Sequence, residues 1–482
     1  MKICAYVLSK FAKQTYKKES YDIRINAGMQ VVIDILRRNG YEVEFSGSAT
    51  VHQYDVVLWQ CTSDCDWWEF LAERVHWKKG NYKVVVGGAG VLNVRPFLPY
   101  VDYFVLGRAE GEIERLIKGL DECGEYESKH IVNSKTFSVD KKYYLNQVEC
   151  TYPHEIKLEN GKIYKEGQIG CNHKCFFCGY SWQRKHTGEP FRYGDLWTKN
   201  KDVELAILDL NDGIEVDWTK LRTTAIDGLS QRIRFLINKK ITRQMIQQVI
   251  HNIGTAKPHQ VKFYNIVGYP TETEDDWFEF LDDIVQADKE LPKLEKQGCI
   301  LLHSTPFRAM PLTPLCCAEM SYKNYRGRIA RVLGQGKYKG NIFYKGNSFF
   351  AVESMGTDSL SSVIKSAIVW RGTEKDTDNI VRIACSKKFE NASATVKQLT
   401  LEKYFDVPNL FRRYTLEDLP TRYLNTYADV YKVWEMMDIE TLKSIIANTP
   451  DGMHKNDLIR QLKRLYRKKR LNHGNGKVKS EP

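Results

Sequence analysis

At 482 residues, with 42% apolar and 27% charged side chains, the chain is long enough for two or three domains with substantial cores, and its composition excludes a fibrous or intrinsically disordered protein. A formal net charge of +12, from 72 Lys and Arg against 60 Asp and Glu, favours a polyanionic partner. No apolar run is long enough for a membrane span, and the opening Met-Lys-Ile-Cys-Ala-Tyr-Val-Leu enters a strand pattern directly, so neither a membrane segment nor a signal peptide is expected. The expected setting is the cytoplasm, where scattered cysteines stay reduced thiols or ligands.

In chain order, residues 2–8 read as a buried strand, and Ile25, Met29, Val32, Ile33 and Leu36 repeat at helical spacing until Gly40 stops them. Residues 41–45 alternate as a strand and 55–60 form a continuous β-type run. A helix follows with Trp67, Trp68, Leu71 and Val75 on it, then a strand at 83–86, the turn Gly87-Gly88-Ala89-Gly90, a strand at 103–106 and a helix from Glu110. Strands alternating with helices predict an α/β domain over 1–121 with a doubly wound parallel sheet. Cys4, Cys61 and Cys65 fall within it and read as free thiols. Residues 122–159 are polar and turn-rich, a linker with short strands.

A second domain is expected over 160–317. A strand at 162–168 leads into Gly170-Cys-Asn-His-Lys-Cys-Phe-Phe-Cys-Gly-Tyr180, which holds Cys171, Cys175 and Cys178 at C-x3-C-x2-C spacing. Three thiolates on one loop make a metal or cluster site. A structural zinc knot is the alternative, with His173 or a distant cysteine as fourth ligand; no second cysteine pair follows at the usual spacing. A short helix is expected around 195–202 and a strand at 203–208, which ends at Asp209. Next come Ala225-Ile-Asp-Gly-Leu-Ser-Gln231, with Ser230 placed to cap a helix, and a helix from Thr242 carrying Met245, Ile246, Val249, Ile250 and Ile253. The strand at 261–267 runs into Gly268-Tyr-Pro, with Thr273 and Asp276 spaced as a capping pair.

The cysteine loop, the Asp227 segment, the Gly268 turn and Thr305-Pro-Phe-Arg-Ala-Met-Pro-Leu-Thr-Pro314 together resemble, in order, the motifs of the radical S-adenosylmethionine (SAM) superfamily. That resemblance implies a partial (β/α)6 barrel and a 4Fe-4S cluster held by Cys171, Cys175 and Cys178, with one iron open to SAM. In the family the cluster reduces SAM to a 5′-deoxyadenosyl radical, with electrons from a donor such as flavodoxin or ferredoxin. It further implies cofactor contacts from Phe177, Asp209, Asp227, Ser230 and Gly268, with Asp227 taking the ribose hydroxyls and Gly268 opening the backbone to adenine. The Gly-Gly-Glu pattern that often binds the amino group of SAM has no clean match. The 1–121 segment looks like the cobalamin-binding-type domain found ahead of many such barrels. The Asp-x-His-x-x-Gly loop that ligates cobalt elsewhere is absent, so the fold is expected here and cobalamin is not favoured.

Residues 318–454 form a mixed, mainly helical extension with helical stretches at 359–370 and 440–447, and 455–482 a basic tail that includes the run at 458–470. Cys316 and Cys317, just past the barrel, are candidate hydrogen-atom donors to a product radical, and core packing is their ordinary role. The tail and net charge favour nucleic acid, DNA over RNA. The sharpest reading is a phage DNA-hypermodification isomerase, working in the host cytoplasm, that moves an amino-acid substituent of thymine from nitrogen to α-carbon attachment. The competing readings are a cobalamin-dependent radical SAM methylase of a small molecule or peptide, and a non-catalytic nucleic-acid-binding protein with a structural metal site.

Overall fold

The structure is a computed structural model that describes residues 1–6, 27–147, 155–157, 163–165, 168–171, 173, 175–183, 187–188, 203–205, 207, 210, 215–256, 260–269, 272–290, 300–316, 318–321, 350–352, 360–412, 443, 459–460, 463–464 and 467. Five short, apolar strands near the N-terminus pair in parallel: β1 (Ile3–Tyr6), β2 (Val43–Ser46), β3 (Val56–Gln60), β4 (Lys83–Gly87) and β5 (Tyr103–Val105). With β6 (Ile131–Asn133), which pairs antiparallel to β5, they lie in the order β2-β1-β3-β4-β5-β6. The strands alternate between two cores. Ile3, Ala5, Leu58 and Val85 face helices α1 (Ala27–Arg38) and α3 (Ile113–Cys123), whereas Cys4, Val57, Trp59, Val84 and Val86 face α2 (Asp64–Arg74). Side chains alternate across a strand, so two apolar faces require a nearly continuous apolar run, which is what these segments show.

The segment expected as a linker at 122–159 supplies β6 and buries Tyr143 and Leu145 in the same core. With three residues, β6 is too short for its sequence to show a period.

The second sheet is wholly parallel, and its strands lie across it in chain order. Its strands are β11 (Val203–Leu205), β12 (Leu221–Ala225), β13 (Val261–Val267), β14 (Ile300–Pro306) and β15 (Phe350–Val352). Among the described residues it has five strands, where six were expected. The strand anticipated at 162–168 divides into β8 (Ile163–Lys165), antiparallel to β7 (Glu155–Lys157), and β9 (Gln168–Ile169), antiparallel to β10 (Thr187–Gly188). The fifth strand, β15, comes from beyond residue 317, so the sheet draws on the segment read as extension. After α4 (Gly179–Trp182), helices α5 (Gln231–Leu236), α6 (Arg243–Ala256) and α7 (Glu274–Glu290) accompany the sheet; Ile246, Val249, Ile250, Trp277 and Phe280 close its core against Leu221, Val261 and Phe263. The helix expected around 195–202 lies outside the described residues, as does all of 440–447 except Lys443.

The extension begins with α8 (Leu360–Arg371), followed by α9 (Thr377–Ala384), α10 (Lys387–Glu390), α11 (Ala394–Tyr404) and α12 (Val407–Phe411). Apolar or small residues bury α8 almost all round, the pattern of a core helix. It packs with α2 in a core that also takes in Phe176, Trp182 and Phe307. Asn93 Nδ2 donates to the Val369 and Gly372 carbonyls at 3.0 and 2.8 Å, and Ser366 Oγ donates to Asp64 at 2.5 Å. The extension thereby ties the first sheet to the second. Among the described residues no helix is long and apolar enough to cross a membrane.

Candidate active site

The cysteine loop follows β9 and is braced at several points. Phe176 N donates to the Ile237 carbonyl at 2.9 Å, Leu315 N to the Phe176 carbonyl at 3.2 Å, and Trp182 Nε1 to the Cys175 carbonyl at 2.8 Å. Its supports are thus the end of α5, the segment after β14, and α4, which Cys178 precedes in extended backbone. A Cβ at Gly179 would press on the side-chain ends of Met310 and Gln183, which would have to shift to make room for it.

Cys175 is buried, and Cys171 and Cys178 are half-buried. Burial pushes the Cys175 thiol up to about 12; Lys239 opposes this, and Asp227, Cys178 and Cys171 add to it. Among the described residues no group of three or more His, Cys, Asp or Glu side chains is gathered at metal-binding distance. The donor set nonetheless fits a cluster. Three free thiols share one braced loop, and a buried thiol resists ionisation until a metal takes the place of its proton.

The ends of β12 and β13 lie beside this loop. Beyond β12, Ile226 N and Asp227 N both reach the Tyr264 carbonyl, at 2.9 and 3.3 Å, and Asp227 takes a left-handed φ of 53°, which Asp tolerates better than most residues. Its carboxylate pairs with Lys239, and both side chains are largely buried. An ammonium therefore already holds the group expected to meet the ribose. Ser230 caps α5 as expected, accepting from Ile233 N at 3.1 Å, and donates to Asp276 at 2.6 Å. Its hydroxyl serves the two helix starts. Thr273 and Asp276 form the anticipated cap at 2.8 Å, and Arg232 joins the same carboxylate at 3.0 Å.

At the end of β13, Gly268 has φ 88°, open to glycine, but its N–H is donated to Glu272. Glu272 also accepts from Tyr269 N at 3.1 Å and from Trp277 Nε1 at 2.8 Å. Burial raises its pKa to about 7 against those three donors. The N–H at Gly268 is thus taken by a side chain four residues on. Phe177 lies half-buried, its ring 6.1 Å from that of Tyr269, which in turn lies 5.1 Å from Phe307.

Asp209 and Cys317 lie outside the described residues. Cys316 is buried in the core shared with the extension, and its carbonyl accepts from Arg371 at 3.0 Å. That is the packing role. Lys239, Tyr269 and Glu272 were missed. Glu272, in the turn that follows Gly-Tyr-Pro, was the one of the three with a local sequence signal, an acid placed to gather N–H groups ahead of a helix.

A cavity of about 230 Å³ lies at the C-terminal ends of β3, β4 and β5, next to the point where the strand order reverses. Gln60, Gly87, Gly88, Gly107 and Arg108 line it, and Gln183, just after α4, reaches it from the cysteine-loop side. Among the described residues no histidine lines it.

No family model matches the chain. An uncharacterized protein of Methanocaldococcus jannaschii, MJ0966, is 25% identical over 265 residues, covering 44% of this chain and 57% of that protein. The chain thus spans under two thirds of the length of the curated relative it matches. Among solved structures, the cobalamin-dependent S-adenosylmethionine radical enzyme OxsB with aqua-cobalamin bound is similar over 96% of this chain and 83% of its own, at 10% identity and a TM-score of 0.34. The same enzyme with aqua-cobalamin and S-adenosylmethionine bound gives the same values. Likeness at that level establishes neither fold nor chemistry.

Proposed function

We propose that this chain is a radical SAM enzyme whose cluster is held by Cys171, Cys175 and Cys178. The observation that carries the reading is the setting of the loop: its backbone is held by the end of α5, the segment after β14 and α4, the Asp227 carboxylate bears on the Cys175 thiol, and the Phe177 ring lies 6.1 Å from that of Tyr269, next to Gly268. When bound, a reduced 4Fe-4S cluster supplies the electron that cleaves SAM. The chain's own residues do the rest. The Phe177, Tyr269 and Phe307 rings supply apolar surface next to the loop, the Lys239–Asp227 pair offers a carboxylate or an ammonium to a polar ligand, and Ser230, Asp276 and Glu272 fix the two turns.

The test is anaerobic: reconstitute with iron and sulfide, add SAM and dithionite, and measure 5′-deoxyadenosine in wild type and Cys175→Ala. Product in the wild type alone supports the reading. Zinc at one per chain with no product supports a structural knot instead.

For the substrate, the tail favours a polyanion. Arg460, Lys463, Arg464 and Arg467 are helical, exposed and spaced to share one helix face, an arrangement that suits a phosphate backbone. Binding of duplex DNA that weakens steeply with salt, and is reduced when these four become Gln, supports a nucleic-acid substrate. No described residue favours isomerisation of a substituted thymine over another fate of the radical.

The cobalamin-dependent methylase is the second reading, and the cavity at the ends of β3, β4 and β5 is what favours it. Among the described residues the cavity measures about 230 Å³, below the roughly 300–1,000 Å³ of drug-sized pockets, and no histidine lines it. A cobalt assay on the active sample decides between them.

A further inference from the structure

Tyr264 stands on β13, the middle strand of the second sheet, yet among the described residues its ring belongs to none of the cores. The side chain is 39% exposed, and of the large apolar side chains left exposed among the described residues it alone lies on a strand. An aromatic ring contributes most to stability when it is buried, so a ring left uncovered at the centre of a sheet is surface open to a ligand. Its neighbours indicate the chemistry of that ligand. The Lys262 ammonium lies 5.7 Å from the ring centre, and His303, opposite Tyr264 on β14, meets it edge-on at 5.3 Å. An open aromatic face beside a cation and an imidazole suits a flat ring that carries a negative group, which is the make-up of a nucleotide. The Tyr264 carbonyl accepts from Ile226 N and Asp227 N at 2.9 and 3.3 Å. Ile266, two residues on and hence on the same face, packs against the core that holds Phe176 and Phe307. One face of β13 thus leads from Lys262 past Tyr264 to the side of the cysteine loop.

We propose that Tyr264 is the stacking platform for one nucleobase of the substrate strand, held out of its own stack on the polar face of the second sheet with its phosphate beside Lys262. The inference rests on the nucleic-acid reading of the substrate above. Stacking on an aromatic side chain tolerates any base, because every base has a π-face, and a base must leave the stack before chemistry can reach it. Tyr264 is a binding residue in this scheme. It exchanges no atom with the base.

The experiment measures, by fluorescence anisotropy on reconstituted protein of known iron content, the binding of a short labelled DNA single strand and of an abasic strand of the same length. Wild type, Tyr264→Ala and Tyr264→Phe are compared, with SAM affinity measured on the same samples. Wild type should prefer the strand that carries bases. Tyr264→Ala should lose affinity for that strand by about 5- to 150-fold, the worth of one stacked base, and bind the abasic strand and SAM as wild type does. Tyr264→Phe, which keeps the ring, should behave as wild type. Equal binding by Tyr264→Ala and wild type overturns the proposal, as does a loss that is the same for both strands or is shared by Tyr264→Phe. A fall in SAM affinity without a fall in strand binding also overturns it and assigns the ring to SAM. A wild type that binds both strands equally keeps the nucleic-acid reading and loses this inference; one that binds neither loses both. Base-dependent binding through Tyr264 in protein that makes no 5′-deoxyadenosine fails the cluster reading alone.

Discussion

The two sheets of this protein are built from the same parallel strands and put to different uses. The first is covered by apolar cores on both faces, Ile3, Leu58 and Val85 on one and Val57, Trp59 and Val86 on the other. The second has a full core on one face only, where Val261, Phe263 and Val267 meet α6 and α7. Its other face carries Thr223, Lys262, Tyr264 and His303, brought side by side by the register that sets Thr223 against Lys262 and Tyr264 against His303. A sheet closed on both faces is a support. A sheet with one polar, half-open face has room for a ligand, and the cysteine loop sits at the end of that sheet.

The largest effect should come from Cys175→Ala, which breaks the ligand side of this contrast and leaves both cores alone. Iron content should fall and 5′-deoxyadenosine should drop to the level of protein without a cluster, while the thermal midpoint of the cluster-free protein stays close to that of wild type. A large loss of cluster-free stability would show that Cys175 is a core residue first.

Trp67→Ala breaks the support side. Trp67 is fully buried, stacks on Phe97 at 3.9 Å and donates to the Gly90 carbonyl at 2.9 Å. Truncation of such a ring costs about 3–5 kcal/mol, with the orphaned carbonyl added. Denaturant unfolding should show that loss, with iron loading unchanged wherever the protein remains folded.

The sequence announced the first sheet more fully than the second, and the reason is physical. Strands buried on both faces are continuous apolar runs, so 55–60 and 83–86 could be read directly. β6 was read as linker because three residues carry no period, and β15 was read as part of the extension because its partner β14 lies far back in the chain. In the site, Ser230 and the Thr273–Asp276 cap were legible because capping is local. The Lys239–Asp227 pair was not. It depends on how the chain returns after α5, which no spacing rule gives.

Glu272 offers a test in pH. Its folded pKa of about 7 lies above the ordinary 4.5, with burial the leading cause, so between those values the native state binds more protons than the unfolded one. Stability should therefore decline as pH rises from about 4.5 to 7, by at most about 1.4 kcal/mol per unit from this group. Glu272→Gln should flatten that part of the profile, measured by urea unfolding at a series of pH values. An equal slope in the variant would assign the dependence to other groups.

The smallest effect on stability is expected at Tyr264, and it sharpens the comparison most, because Phe263 beside it faces the other way. Phe263 is fully buried, 6.1 Å from Phe280, whereas Tyr264 is 39% exposed, edge-on to His303 at 5.3 Å with the Lys262 ammonium 5.7 Å from its ring. Phe263→Ala should cost about 3–5 kcal/mol, and Tyr264→Ala about 1 kcal/mol at most, the worth of a half-exposed cation–π contact and some lost area. If the polar face is where ligands lie, Tyr264→Ala should weaken SAM or substrate binding out of proportion to that small loss. Two neighbouring substitutions with similar stability costs and no effect on binding would mean that both faces of the second sheet are support, and that the site lies wholly at its end.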